Sequence, residues 1–407
     1  MQSEYKNFNC IGKQMGIDFS FSIPELIILI VTICVVSILS AYWLYLYRAP
    51  MRYIQKSANG KIPYTDELPP VSVIVYAKDS ADYLTRFLKS YLTQNYPKYE
   101  VIVVIDGISD SSRDVVADFA LQYDNLVLSY IPDDACNVSH KKLGITLGIK
   151  AARYDHLVIT QANCRPAGKE WLSSLCRNFT PGTEIVIGYT SFQYESSESE
   201  PRYHTFDRTL SSLRYLAFGL IGTPYRANGY NIAYKKELFF ANKGFSRTLN
   251  LHAGDDDLFI NQIATGTNTR IELSPESRTI CKVRNERAHH RIGKLTRTFT
   301  ARQLKTPAKK LFRLQSVAEY MLLASFISAW FFGIGNPLFL AIILLLCLTA
   351  IAIQIIVFRQ GARLLDTAPG YMLLPLFLLI KPWVNLRYEL EVSRRRFIFY
   401  TWHKQLL

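Results

Sequence analysis

Three consecutive carboxylates, Asp255-Asp256-Asp257, follow Gly254 and open an apolar run that begins at Leu258. Like charges this close raise one another's pKa, which suits one of them to take a proton from an attacking hydroxyl. The competing reading is a solvated helix N-terminus, where Asp is favoured by the helix dipole. Upstream lie Asn228-Gly229-Tyr230-Asn231 and Ile232-Ala233-Tyr234, a small-residue turn running into a short strand, and then Gly244-Phe245.

Further polar residues fall in four short loops, each beyond an apolar burst. They are Ala77-Lys78-Asp79, Asp106-Gly107-Ile108-Ser109-Asp110, Asp133-Asp134 leading to His140-Lys141-Lys142, and Gln161-Ala162-Asn163-Cys164-Arg165-Pro166. A carboxylate at the end of a buried strand, such as Asp106, can accept hydrogen bonds from a uracil edge or from ribose hydroxyls. It can also cap the next helix, a role for which Asp110 is better placed.

These loops need a scaffold. Strand-like bursts at Val71–Tyr76, Val101–Ile105, Leu126–Tyr130 and His156–Thr160 alternate with helical patterns at Ala81–Gln94, Ser112–Tyr123 and Lys141–Arg153. The unbroken Val/Ile run of Val101–Ile105 suits a strand buried on both faces. The alternation predicts an α/β class with a parallel sheet between helices, and ligands in such sheets bind beyond the carboxyl ends of the strands.

The 407-residue chain is 49% hydrophobic with a net charge of +14, 47 Lys and Arg against 33 Asp and Glu. Leu26–Tyr47 is uncharged, ends in Tyr42, Trp43, Tyr45 and Tyr47, and is followed by Arg48 and Arg52. That is a spanning segment with an aromatic belt rather than a cleaved signal, which would have a shorter core and a small-residue cleavage site. Tyr320–Phe358 is also uncharged, enough for two spans around the turn Gly333–Pro337. Tyr371–Ile380 is too short to span and reads as an interfacial or re-entrant helix interrupted by Pro375 and Pro382. Basic residues after the first span, at Arg359 and Arg363 and in the tail, place the 49–315 domain in the cytoplasm by the positive-inside rule, with three spans in all. Membrane flanks account for the basic balance better than nucleic acid does, so no nucleic-acid partner is expected. The spans carry only Glu25 and Glu319 near their ends, which fits a transporter poorly. Seven cysteines without a CxxC argue against a disulfide framework or a zinc site and for a reducing compartment.

The stretch from Asn228 to Asp257 resembles the acceptor-side half of the inverting, membrane-bound glycosyltransferases of family 2. The four loops, in the same order, resemble that family's nucleotide-binding half, and the likeness covers about residues 70–300. The resemblance implies a GT-A (nucleotide-diphospho-sugar transferase, Rossmann-like) domain with transmembrane helices. It implies donor binding by Ala77, Asp79, Asp106, Lys141, Gln161, Ala162 and Asn163. It makes Asp256 the catalytic base, or Asp255 if the register slides by one. Asn228, Gly229, Asn231, Asp257, Lys294 and Arg297 fall on the acceptor and diphosphate side. Lys294 and Arg297 keep the spacing of the family's Gln-x-x-Arg-Trp but lack its Trp, which argues against a processive synthase. The other reading of 282–313, with eleven Lys or Arg and one acid, is a basic amphipathic segment on anionic headgroups.

One departure matters. Where the family reads Asp-Ala-Asp, this chain has Gln161-Ala162-Asn163. Mg²⁺ or Mn²⁺ prefers charged oxygens, so Asn163 is a weakened metal ligand. Either Lys78, Lys141, Lys142 and Arg165 neutralise the donor diphosphate, or catalysis is lost and the chain is a sugar-nucleotide-binding subunit or sensor of an envelope polysaccharide assembly system. The triple Asp favours the first.

The expected organisation is a tail at 1–22, a transmembrane helix at 23–47, a linker at 48–69 and the GT-A domain at 70–281. A basic interfacial segment at 282–315, transmembrane helices at 316–334 and 338–358, and an interfacial helix with basic tail at 370–407 complete it. The expected activity is inverting transfer from a nucleoside-diphosphate sugar, UDP-linked before GDP-linked, to a lipid-linked or cell-envelope glycan acceptor. The expected partners are that nucleotide sugar, that acceptor and membrane lipids. The expected place is the bacterial inner membrane, with the catalytic domain cytoplasmic.

Overall fold

The computed structural model of the chain describes residues 21–107, 111–132, 135–195, 201–367 and 370–402. The loop positions Ile108, Ser109, Asp110, Asp133 and Asp134 lie outside the described residues.

The chain begins with helix α1 (Ile23–Ala41), a π-helical turn over Tyr42–Tyr47 and helix α2 (Ala49–Ala58). The central domain runs β1 (Val71–Lys78), α3 (Ala81–Leu92), β2 (Tyr99–Asp106), α4 (Ser112–Ala120), β3 (Leu126–Tyr130), α5 (His140–Ala151) and β4 (His156–Gln161). It continues through β5 (Cys164–Pro166), α6 (Trp171–Cys176), β6 (Ile185–Ile187), β7 (Thr190–Tyr194), α7 (Arg202–Leu220), β8 (Ile232–Lys235) and α8 (Lys236–Ala241). Then come α9 (Asp257–Ile263), β9 (Thr269–Ile271), β10 (Thr279–Val283), α10 (Glu286–Ala301), α11 (Ala308–Gly333), α12 (Pro337–Leu364) and α13 (Leu374–Arg394).

Seven strands form one sheet in the order β3-β2-β1-β4-β8-β6-β9. β1 to β4 are mutually parallel, and β8 runs antiparallel to both β4 and β6. Side chains alternate across a strand. In β1, Val73 and Val75 therefore join the core with Leu84 and Leu88 of α3, while Ile74 and Tyr76 join the opposite core with Ile145 and Ile149 of α5. Each such fully buried aliphatic side chain contributes about 1.5–3 kcal/mol of transfer free energy. Chain order reverses at β1, with β2 on one side and β4 on the other, and the open carboxyl edge at such a switch point is where ligands fit. A second sheet, β5-β10-β7, begins with β5 directly after the short loop that follows β4.

Three helical stretches, Ile23–Ala58, Ala308–Gly333 and Pro337–Leu364, are long and apolar enough to cross a membrane. The first opens on a capping box in which Glu25 accepts the Ser22 N–H at 2.7 Å. These helices pack through Val35, Leu39, Ala318, Leu322, Phe339 and Ile343. A polar junction ties them to the central domain: Arg214 of α7 donates to Tyr47 Oη at 2.8 Å and to Gln315 Oε1 at 2.9 Å.

Three details depart from the sequence reading. The first part of the expected linker is helical, since α2 follows the first span directly. The segment around Tyr371–Ile380 is not cut at Pro382 but continues as the 21-residue α13. Pro375 sits in its first turn, where no N–H is missed, and Pro382 forfeits only one internal bond. Finally, Cys164 and Cys281 are disulfide-bonded across the paired strands β5 and β10, where the sequence argued against a disulfide framework.

Candidate active site

The first turn of α5 organises the site. Successive helical residues point about 100° apart, so His140, Lys141 and Lys142 reach three different partners. His140 Nδ1 lies 2.8 Å from Asp106 Oδ1, and its Nε2 lies 3.0 Å from the Ala135 carbonyl. Lys141 Nζ pairs with Asp255 Oδ2 at 2.7 Å. Lys142 is fully buried and donates to the carbonyls of Thr248 at 2.6 Å and Ala253 at 2.7 Å. The helix thus ties the end of β2 to the loop carrying the triple aspartate.

That loop is shaped by its neighbours. Gly254 has φ +93°, a conformation that side-chain-bearing residues rarely adopt. Asp256 caps α9 by accepting the Asp257 N–H at 2.7 Å on Oδ1, while its Oδ2 accepts the Gly229 N–H at 2.9 Å. A Cβ on Gly229 would stand 3.1 Å from Asp256 Cβ and 3.2 Å from Asp255 Oδ2, so the small residue lets the turn close onto both carboxylates. Asp257 is buried, accepts the Leu258 N–H at 2.8 Å and receives the Thr300 hydroxyl of α10.

The electrostatics follow from this packing. Withdrawal from water and then the Asp255 charge raise the Asp256 carboxyl above its ordinary range, more than Lys141 and Arg226 lower it. Burial, then Asp256, push Asp257 up to about 6. Burial lowers Lys142 to about 8 despite the nearby aspartates. Lys141 goes the other way, because Asp255 and Asp256 together outweigh its desolvation and favour the ammonium.

At the loops expected to bind the donor, Asp79 is exposed with φ +46° and faces Gly107, whose added Cβ would sit 3.5 Å from Asp79 Oδ1. The loops after β1 and β2 therefore meet. Asp106 is buried and engaged by the Tyr76 hydroxyl as well as by His140. Ala77 is fully buried within β1. Ala162 is also buried and donates its N–H to the Tyr76 carbonyl at 2.9 Å. Asn163 donates to the Lys282 carbonyl at 3.2 Å, and Gln161 Nε2 is buried without a partner among the described residues.

Several expected ligand residues are committed elsewhere. Asn231 is fully buried: its amide donates to the carbonyls of Tyr189 and Ser277 at 3.0 and 2.8 Å and accepts Trp171 Nε1 at 3.2 Å. It is a packing residue rather than an acceptor contact, whereas Asn228 remains half-buried in the turn. Lys142 is likewise unavailable to a diphosphate. Lys294 grips both oxygens of Asp207 at 2.8 and 2.9 Å, and Arg297 lies 3.9 Å from the same carboxylate. Burial alone would raise Asp207, but Lys294 and Lys381 hold it well below the usual carboxylate range. Lys294, Arg297 and Asp257 share the wall of one cavity of about 330 Å³ between α7, α10, α11 and α13. Asp207, Arg226, Thr300 and the His140–Asp106 pair escaped the sequence reading. The available signal was a lone acid amid the apolar positions of 206–220 and a lone lysine, Lys381, ending an apolar run.

The metal expectation is testable on the donor set. Gln161 and Asn163 are neutral amides, the Asp106 oxygens already have partners, and no three His, Cys, Asp or Glu converge among the described residues. These residues do not fit a carboxylate-held divalent ion.

Glycosyltransferase AglE of Haloferax volcanii is 28% identical over 146 residues, 35% of this chain and 46% of that protein, so the match spans about half the relative's length. Among solved structures, the mannosyltransferase PcManGT from Pyrobaculum calidifontis, in complex with GDP-Man and Mn²⁺, superposes with a TM-score of 0.50. The identity is 18%, over 91% of this chain and 99% of that one. TarS of S. aureus in complex with UDP-GlcNAc gives a TM-score of 0.40 at 17% identity, over 80% and 92% of the two chains. The fold is GT-A-like, and the likeness to family 2 stands at the level of this fold. The model of a different glycosyltransferase family matches residues 29–386, nearly the whole chain. With the carboxylates, lysines and parallel sheet in this arrangement and a match of that extent, the chain belongs to glycosyl transferase family 21.

Proposed function

We propose that this glycosyltransferase moves one sugar, with inversion, from a nucleoside-diphosphate sugar to a lipid-linked or cell-envelope glycan acceptor at a membrane surface. The observation that carries the reading is the pairing of Lys141 with Asp255 at 2.7 Å beside the Gly229 contact to Asp256 at 2.9 Å. It joins the nucleotide-side helix to the carboxylates in one electrostatic unit at the open edge of the sheet.

Asp256 takes the proton of an acceptor hydroxyl as its oxygen attacks the anomeric carbon. The bond between that carbon and the donor phosphate oxygen breaks, and the nucleoside diphosphate leaves with the bonding pair. A single displacement inverts the centre. The raised pKa of Asp256 makes it a stronger base than an ordinary carboxylate. Lys141, held cationic by the aspartates, supplies positive potential near the departing diphosphate. The donor is UDP-linked in the first instance, with GDP-linked sugars next. The three apolar helical stretches anchor the enzyme, with the catalytic domain on the cytoplasmic face of a bacterial inner membrane.

The test is nucleotide release by the full chain in nanodiscs over a panel of UDP- and GDP-sugars with a lipid extract as acceptor source. Release that disappears in Asp256→Asn supports the transfer. Binding without release when acceptor is present favours the sensor, for which the amides Gln161 and Asn163 speak.

A further inference from the structure

The cavity walled by Asp257 carries eight Lys or Arg against three acids. Two of those acids are committed: Asp207 to Lys294 and Lys381, and Asp257 to Thr300 and the Leu258 N–H. The third, Glu389, stands on α13. Cationic capacity is left over. Arg226 Nε is buried without a hydrogen-bond partner among the described residues. Among the same residues, Lys309 and Arg313 form no ion pair with a carboxylate, although both line the cavity. A partly enclosed site with surplus guanidinium groups favours an anion, and their fork geometry matches phosphate oxygens.

The cavity is also at the membrane end of the domain. Lys309 and Arg313 lie on the first turns of α11, one of the helices able to cross a bilayer. Steps of four residues continue their stripe through Val317 and Met321, which are 53% and 44% exposed. An anionic head held at Lys309 and Arg313 would therefore send an apolar tail along α11. On the inner side, Asp257 adjoins Asp256. A phosphate oxygen is already ionised and needs no base, whereas a carboxylate with a raised affinity for protons suits a hydroxyl.

Resting on the transferase reading above, we propose that this cavity holds the phosphate or diphosphate of the acceptor, a lipid (di)phosphate-linked sugar. The sugar hydroxyl meets Asp256, and the lipid chain follows the Arg313–Val317–Met321 face. The acceptor phosphate is a spectator: the proton passes to Asp256, the new glycosidic bond forms at the donor's anomeric carbon, and only the donor's phosphate bond breaks.

The test is equilibrium binding of dodecyl diphosphate to the full chain in phosphatidylcholine nanodiscs, against dodecanol, with UDP binding measured on the same samples. The diphosphate should bind at least about tenfold tighter than the alcohol, and Lys309→Gln with Arg313→Gln should weaken it by about tenfold while UDP affinity stays within about twofold. Arg226→Gln should act in the same direction; if it does not fold, the α11 pair carries the test. Equal binding of dodecanol, or undiminished binding by the double variant, overturns the proposal. So does inorganic diphosphate binding as tightly as the lipid, which would mark a free-anion site. Loss of binding in nanodiscs containing phosphatidylglycerol would assign the cavity to bulk headgroups and equally overturn it. Failure of the wild type to bind any nucleotide sugar would instead remove the transferase reading, leaving the lipid result legible on its own.

Discussion

Gly229 donates its backbone N–H to Asp256 Oδ2 at 2.9 Å, and this contact holds the proposed base between two elements remote in sequence. The other oxygen of Asp256 caps α9, so both carboxylate oxygens are held before any substrate binds. Gly229→Ala would press a methyl group to 3.1 Å from Asp256 Cβ. The backbone there is not left-handed, so the variant should fold with a melting temperature close to the wild type. Small displacements of a reacting group are costly in rate, and kcat should fall by about tenfold or more. Steady-state kinetics with a matched nucleotide-binding isotherm checks this; an unchanged kcat would separate the turn from catalysis.

Asp256→Asn should lower kcat by about 100- to 10,000-fold, the usual contribution of a general base, with nucleotide affinity nearly unchanged. Because burial and Asp255 raise the Asp256 pKa, the wild-type rate should climb with pH through a value above the ordinary carboxylate range. A pH–rate profile whose acid limb survives in Asp256→Asn would assign the base elsewhere, with Asp255→Asn the next variant to measure.

Asp257 connects pH to stability. Its folded-state carboxyl titrates at about 6 against an ordinary 3.8, so the folded chain holds a proton that the unfolded chain has released in that interval. Stability from this group is therefore lost as pH rises from 3.8 through about 6. Asp257→Asn removes the penalty: its amide can accept the Leu258 N–H and donate to Thr300, whose hydroxyl already has the Thr296 carbonyl 3.1 Å away. Thermal unfolding should show the variant gaining up to about 3 kcal/mol over wild type above that window and nothing below it. A constant difference at every pH would contradict the assignment.

Lys142 should behave as a structural clamp. Lys142→Met strands the Thr248 and Ala253 carbonyls, at a cost of about 2–3 kcal/mol, and frees the loop before the triple aspartate. With its pKa lowered to about 8 from 10.5, the folded chain binds fewer protons than the unfolded chain across that interval. Its contribution to stability therefore rises with pH from about 8 to 10.5. Melting curves of wild type and variant across alkaline pH test this; parallel curves would refute it.

The amides after β4 predict a gain of function. Gln161→Asp combined with Asn163→Asp restores two negative charges at the position, and Mn²⁺ affinity should rise by roughly an order of magnitude or more. Isothermal titration in the presence of UDP reads it directly. Unchanged Mn²⁺ affinity would mean that these two side chains do not face the diphosphate.

The parallel half of the sheet was legible from hydrophobic bursts, because strands buried on both faces have to be continuously apolar. β1, β2 and β4 accordingly lie within a residue or two of the runs that foretold them, and the half-exposed edge strand β3 matches its shorter run. The three helices long and apolar enough to cross a membrane were legible from their long apolar runs. The three-residue strands β6 and β9 were less so, because so few residues carry too little periodicity, while the antiparallel β8 was legible only as the short strand after the Gly229 turn.

Residue types at loop positions, and the order of those loops, came from the sequence alone: the triple aspartate, the Gly229 turn, Lys141 and the amides at 161 and 163. What they touch was decided only by the tertiary structure. Adjacent residues with similar chemistry were sorted by helical geometry into different tasks, Lys141 to a carboxylate and Lys142 to two backbone carbonyls. Asn231 was turned into the core and Lys294 drawn to Asp207, because a buried polar group must find a partner wherever the packing offers one. No local pattern encodes a pairing between Gly229 and Asp256 or between Lys294 and Asp207. Such pairs arise from where the sheet and the helices packed on it bring distant segments together, and they determine which of the candidate residues are free to do chemistry.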